Sequence, residues 1–244
     1  MTASKSTFII LLVFALALFA TGANAQENIS GLAGDGGLSA RIIQLFLLVT
    51  VLSLAPGIAM MITCLPFMII VFSILRQAIG LQQAPPNMLI MSLALFLTYF
   101  VMEPVFNDAW QSGVQPLLDG DITDSLAFER TLSPFRVFME GRVSPVAIET
   151  LQSAIAKPSP EGEVSLSVLV PAFMLSEIQQ ALQIGFVIFL PFLIIDLVVA
   201  SVLMAMGMMM VPPVIVSLPF KLAFFVLANG WVKIAGAVVQ GYGV

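Results

Sequence analysis

Charge is absent from two long stretches of this chain, between Arg41 and Arg76 and between Arg76 and Glu103. Ile42–Leu75 is apolar and too long for one straight membrane-crossing helix of about 20 residues. Pro56-Gly57 and Pro66 each interrupt the helical hydrogen-bond ladder, so the pattern predicts a broken helix there. Gly80 and Pro85-Pro86 mark a turn. A second helix over Met88–Met102 then ends at Glu103-Pro104, and the pair forms a first helical hairpin over residues 42–105.

The last third repeats the plan over residues 166–244. Pro171–Gln183 reads as an amphipathic helix: Ser176, Glu177, Gln179, Gln180 and Gln183 share one side of the helical wheel, with Met174, Leu175, Ile178 and Leu182 on the other. Ile184–Met206 continues as an apolar run interrupted by Pro191 and by one charge, Asp196. Gly207 through Pro213 ends it, and a final apolar stretch from Val214 to about Val239 carries Pro219, Lys221, Gly230 and Lys233.

Residues 103–163 differ in kind, holding ten of the fourteen acidic and four of the nine basic residues. Phe135, Phe138 and Met139 stand at i, i+3 and i+4, so this part is expected to fold rather than act as a tether. Ser144-Pro145 supplies an N-cap and first-turn pair for a helix through Ala156, and Lys157–Glu163 is a turn-rich exit. We set the bounds of this acidic segment at 106–165. The net charge of −6 over residues 103–163 places it across the membrane from the cytoplasm, because retained short loops carry the Lys/Arg excess.

Ahead of the first hairpin, Lys5, the apolar run Phe8–Ala20 and Ala23-Asn24-Ala25 have the layout of a cleavable signal peptide, residues 1–25, with cleavage between Ala25 and Gln26. The alternative is a short first membrane helix, for which the apolar run falls below the span length. Residues 26–41 read as a flexible lead-in.

Composition sharpens the class. Hydrophobic residues make up 59% and charged residues 9%, net charge is −5 and mean hydropathy +1.06, where soluble chains average roughly 25% charged. This predicts an all-α integral membrane protein: two bent, proline-broken hairpins around an acidic, partly helical middle. Nucleic-acid binding is disfavoured because it requires a clustered basic surface. The chain has no histidine, which removes the usual general base and most zinc sites. Cys64 is the single cysteine, so neither an internal disulfide nor a Cys-x-x-Cys site exists. No enzymatic chemistry and no cofactor or metal are expected.

Three features are candidates for function. Asp196 sits in an apolar run, where a charge costs at least about 2.5–3.5 kcal/mol at a bilayer centre. It is either an ion or proton site or a buried group paired with a lysine, Lys221 being the nearest basic residue in sequence. Glu177 belongs to the polar side of its helix, as a solvated or pore-lining group, while Lys233 reads as snorkelling to an interface. Met204, Met206, Met208, Met209 and Met210 crowd one short segment ending at Pro212-Pro213. Core packing is the ordinary explanation of clustered methionine. Three consecutive methionines, however, point about 100° apart in a helix, so a loop projecting them into one space, as a deformable seal, is the other reading.

Several long motifs carry a resemblance. Leu54–Val105, with Cys64-Leu-Pro, Ser73-Ile-Leu-Arg76, Gly80-Leu-Gln-Gln-Ala-Pro-Pro-Asn87 and Ala94-Leu-Phe-Leu-Thr-Tyr-Phe-Val-Met-Glu-Pro104, resembles the FliP family of flagellar biosynthetic proteins. So do Pro171–Phe186, Leu190–Ser201, the Met-Gly-Met-Met-Met-Val-Pro-Pro213 segment, Ser217–Leu222 and Asn229-Gly-Trp231. The acidic middle matches loosely. Phe67 stands where a basic residue is expected and Leu182 where the family typically has Phe, departures that bear on local contacts.

The resemblance implies a core subunit of the flagellar type III protein export gate, in the bacterial inner membrane at the basal body. It implies several copies of the chain in a helical oligomer with FliQ-like and FliR-like subunits beside a FlhB-like one, passing unfolded export substrates through a central channel. It further implies that Met208, Met209 and Met210 form a gasket closing the resting channel, and that Glu177, Gln180, Asp196 and Lys221 are buried or intersubunit polar groups. No Walker-type phosphate loop is present, so energy would come from partner components. Two alternatives stand beside this: a virulence-type secretion counterpart of the same fold, and a proton-coupled secondary transporter using Asp196 and Glu177 as a relay, with broken helices at Pro56 and Pro191.

Overall fold

The computed structural model describes residues 37–81, 84–154, 164–208 and 210–243, all helix, turn or coil with no strand. The signal segment with Ala25 and Gln26, the start of the lead-in, the Lys157–Glu163 exit and Met209 lie outside the described residues. Contacts divide the chain into a first unit ending at Pro56 and a second from Gly57 to Val244.

Among the described residues, the first unit consists of the part of α1 (Gly37–Ile62) up to Pro56. Ile42, Leu45, Phe46, Leu48 and Leu52 are all exposed. Arg41–Ile62 is long and apolar enough to cross a membrane. Contrary to expectation, Pro56-Gly57 does not end this helix. One proline removes one ladder bond, and the cost is of the order of 3 kcal/mol, within what an otherwise favourable apolar helix absorbs. The break falls at Thr63-Cys64. There the Thr63 hydroxyl donates to the Ala59 carbonyl at 2.7 Å and accepts from the Leu65 N–H at 3.4 Å. Pro66 then sits in the first turn of α2 (Leu65–Ile79), where a missing N–H costs nothing.

In the second unit, α2 is the most deeply buried element: Met68, Val71, Phe72, Leu75, Ala78 and Ile79 have no exposed surface. It ends at Gly80, whose left-handed φ of 90° directs the Gly80 and Leu81 N–H groups back onto the Gln77 and Arg76 carbonyls. The Arg76 guanidinium bonds Asn87 Oδ1 and the Pro85 carbonyl across the turn. α3 (Asn87–Ala109) runs beyond the predicted end at Met102, through Pro104, and continues as a π-helical turn, Trp110–Val114, and the short α4 (Gln115–Leu118). Phe106 holds the extension by packing on Tyr99 and on Phe135 of the middle segment, at 6.4 and 5.8 Å between ring centres.

The acidic middle is folded, as α5 (Asp124–Glu140) and α6 (Pro145–Ala154). α5 lies on the π turn at Gly113, where a Cβ would collide with Thr131. Met139 joins Leu169 and Phe173 in a small core beside Phe138.

α7 (Leu166–Ala205) is one helix of 40 residues. It absorbs both Pro171 and Pro191, so the amphipathic stretch and the apolar run are not separate elements. At 1.5 Å per residue it is about 60 Å long, roughly twice the hydrocarbon thickness of a bilayer, so only part of it crosses one. It is a second candidate span, and Asn87–Leu118 a third. α8 (Pro213–Leu227) and α9 (Gly230–Gln240) meet at a 60° bend, where Asn229 adopts a left-handed φ of 51°.

The main core joins Phe67, Val71 and Phe72 of α2 to Ala94 and Met102 of α3, Ala181 and Phe192 of α7, Phe225 and Val238. The backbones of α2 and α7 approach closely because Gly185 leaves room for Ile74. Along α7 the side facing this core carries Ser176 and Glu177, while Leu175, Leu182, Phe186, Leu193, Leu197 and Val198 face outward. Apolar surface on this scale requires lipid or protein cover.

Candidate functional site: two ion pairs and a methionine loop

Arg142 occupies the turn between α5 and α6, held by the Val143 N–H bonded to the Met139 carbonyl at 2.9 Å. From there its guanidinium reaches two other parts of the second unit. Nε donates to Glu177 Oε1 at 3.2 Å, one Nη to Gln180 Oε1, and the other to the Gly241 carbonyl at 3.0 Å. The guanidinium also lies over the Tyr242 ring, 4.0 Å from its centre. Tyr242 donates its hydroxyl to the second oxygen of Glu177. Beside Glu177 in the chain, Ser176 accepts from the Ser144 N–H at 2.9 Å, fastening the start of α6 to α7.

The Glu177 side chain has no exposed surface. Within the chain it is therefore a core residue, neither on a solvated face nor lining an opening. A buried carboxylate is tolerated where both oxygens are bonded and a cation stands beside it, and Arg142 with Tyr242 meets that condition. Burial and the neighbouring carboxylate push the Tyr242 phenol well above its ordinary pKa, which keeps it a donor. Phe67, the position expected to be basic, meets the Tyr242 ring edge-on at 5.4 Å, so an aromatic contact stands there. Leu182 is 55% exposed on the outward face of α7. Neither Arg142 nor Tyr242 stands out in the sequence: they lie 35 and 65 positions from Glu177, beyond any local pattern.

The second pair joins α7 to α8. Lys221 Nζ donates to Asp196 Oδ2 at 2.6 Å, and Ser217 Oγ donates to Oδ1 at 2.5 Å. Lys221 also donates to the Ala78 carbonyl at 3.2 Å. The lysine side chain is 5% exposed and that of Asp196 34%. Lys233, by contrast, is exposed.

The methionine loop follows α7. Gly207, with a left-handed φ of 73°, closes the helix: its N–H bonds the Met204 carbonyl at 3.0 Å and the Met208 N–H bonds the Leu203 carbonyl at 2.9 Å. This is the paired Schellman closure, so Met208 and Met210 stand beyond the helix. Pro212 cannot continue a ladder, and Pro213 opens α8. Met210 is 97% exposed and Met208 41%. Met206 and Met208 line an apolar cavity of about 530 Å³ with Ile194, Val198, Val202, Val216 and Phe220, between the two helical stems.

Comparison with known proteins shows the family. The FliP family profile matches residues 48–238. Flagellar biosynthetic protein FliP of Caulobacter vibrioides is 47% identical over 236 residues, covering 96% of this chain and 89% of that one. The Agrobacterium fabrum protein of the same name is 47% identical over 227 residues, 90% of this chain and 93% of its own. That of Bacillus subtilis is 44% identical over 202 residues, 82% and 91%. By the extent of the profile match and the level of identity, the chain belongs to the FliP family.

Proposed function

We propose that this chain is a channel-forming subunit of the flagellar protein export apparatus. In this reading it sits in the bacterial inner membrane at the flagellar basal body. Its apolar outer faces are covered by further copies of itself and by FliQ-like, FliR-like and FlhB-like subunits. The observation that carries the reading is the loop between α7 and α8, which holds Met208 and Met210 outside any helix and exposed, on a chain of the FliP family. An export gate has to pass unfolded chains of any sequence yet hold back ions. A ring of methionines from several copies meets both demands. The side chains are apolar, so a narrow opening dewets, and unbranched, so they part around whatever is threaded through.

The secondary-transporter reading loses ground on geometry. A relay needs a carboxylate free to exchange protons with a pathway, whereas Glu177 is enclosed by Arg142 and Tyr242 and Asp196 is bound by Lys221 and Ser217. The virulence-type counterpart is disfavoured by relatives that carry the flagellar name.

The test is the native mass of the complex extracted on this chain in mild detergent, followed by reconstitution of that complex into vesicles. The expected result is a large assembly with several copies of the chain and smaller hydrophobic partners. Met208→Gly/Met209→Gly/Met210→Gly should keep that mass and make the vesicles proton-leaky. A monomer or a plain homodimer, or an ion-tight triple variant, would overturn the reading.

A further inference from the structure

The methionine loop hangs between two stems, the C-terminal part of α7 and the N-terminal part of α8. Asp196 lies nine residues before the end of α7, about 14 Å along the helix, and Ser217 and Lys221 are the fifth and ninth residues of α8. Among the described residues, the polar contacts between the stems are those of Ser217 and Lys221 with Asp196. Away from the loop the stems are packed, Phe192 meeting Phe224 and Phe225 at 6.0 and 6.2 Å. Toward the loop they bound the apolar cavity of about 530 Å³. Dense packing fixes a separation only where atoms touch, so in that direction the ion pair is the last directional contact before the methionines.

Lys221 adds a fixed point. The last carbonyls of a helix have no partner in their own ladder. In α2, Arg76 and Gln77 accept from the Gly80 turn, and Ala78 accepts from Lys221. Ala78 belongs to the most deeply buried helix of the chain, so the lysine ties both stems to the rigid centre of the fold. With the Ser217 hydroxyl, every heteroatom of the group has a partner, as a charge pair in an apolar setting requires.

We propose that Asp196, Ser217 and Lys221 form a clasp that sets the separation of the two stems and thereby holds Met208 and Met210 in their sealing position. Asp196 and Lys221 are then positioning residues for the closed gate, not carriers of ions. The proposal rests on the sealing role of the loop, and its test is built to separate the two.

The complex carrying Asp196→Asn, and separately Lys221→Met, is purified and reconstituted with an entrapped pH dye. A third complex carries Asp196→Cys/Ser217→Cys, read before and after bridging the thiols with a short bis-methanethiosulfonate. The expected result is a complex of wild-type mass whose resting proton leak rises about tenfold on loss of the clasp, more for Lys221→Met than for Asp196→Asn. Bridging the two cysteines should return the leak toward wild type, since the bridge restores the spacing without the charges. A gate that stays tight with the clasp broken, a leak unchanged by the bridge, or loss of the complex with the mild Asp196→Asn as well as with Lys221→Met would overturn the clasp. If the triple methionine variant leaks while the clasp variants stay tight, the sealing role stands and the clasp alone falls.

Discussion

Tyr242 and Arg142 share one carboxylate: the phenol donates to one oxygen of Glu177 and the guanidinium to the other, while the guanidinium lies over the phenol ring. Three segments far apart in sequence thus meet at one buried charge. Removing one partner of such a pair leaves the other uncompensated, at a cost of about 3–5 kcal/mol, while removing both is far milder. Arg142→Met should therefore lower the thermal midpoint of the detergent-solubilised complex by much more than Arg142→Met/Glu177→Gln does. Additive losses in that double-mutant cycle would mean that the pair is not coupled.

Tyr242 has two separable contributions. Tyr242→Phe removes the bond to Glu177 but keeps the ring against Phe67, Phe138 and the guanidinium. A hydrogen bond to a charged group contributes about 1.5–3 kcal/mol, so a loss of that order is expected. Tyr242→Ala also opens a cavity among aromatic rings, where truncations cost about 3–5 kcal/mol. Chemical denaturation of the two variants should rank them in that order, and equal losses would assign the whole effect to the hydroxyl.

Much of this arrangement was legible in the sequence, and the gaps have physical causes. Charge-free runs marked the apolar helices, and Gly80 with Pro85-Pro86 marked the first turn, because both signals are local. Prolines misled where the surrounding helix was strong: Pro56, Pro104, Pro171 and Pro191 all lie inside helices, each removing one bond from a ladder otherwise intact. The polar side of α7 was visible, but which way it turned was not. A helical wheel separates two faces without saying which is buried, and here Ser176 and Glu177 of the polar side turn inward while Gln179 and Gln183 stay exposed. The partners of Glu177 were out of reach because periodicity reports only neighbours three and four residues apart.

Gly185 tests the closest approach of α2 and α7. A Cβ there collides with the branched side chain of Ile74, so Gly185→Ala should destabilise the fold by about 1–3 kcal/mol, as overpacking of a filled core does. Shortening the obstacle with Ile74→Val should recover part of that loss, although it costs about 0.5–1.5 kcal/mol alone. A double variant no more stable than Gly185→Ala would place the strain elsewhere than in this contact.

Gly207 is where local backbone chemistry meets the seal. Its left-handed φ of 73° lets the Gly207 and Met208 N–H groups turn back and close α7, and no atom stands within 4 Å of where a Cβ would be. The penalty for Gly207→Ala is therefore conformational alone, about 1–2 kcal/mol for an L-residue in that region. Asparagine tolerates the same conformation better, so Gly207→Asn should be milder, and neither variant meets a steric clash. If the Schellman closure is what ends the helix ahead of Met208, Gly207→Ala should favour one more helical turn, drawing Met208 toward the stem. The resting proton leak of reconstituted complexes should then rise in the order wild type, Gly207→Asn, Gly207→Ala, with assembly mass unchanged. Equal tightness of all three would show that the loop holds its methionines independently of how α7 ends.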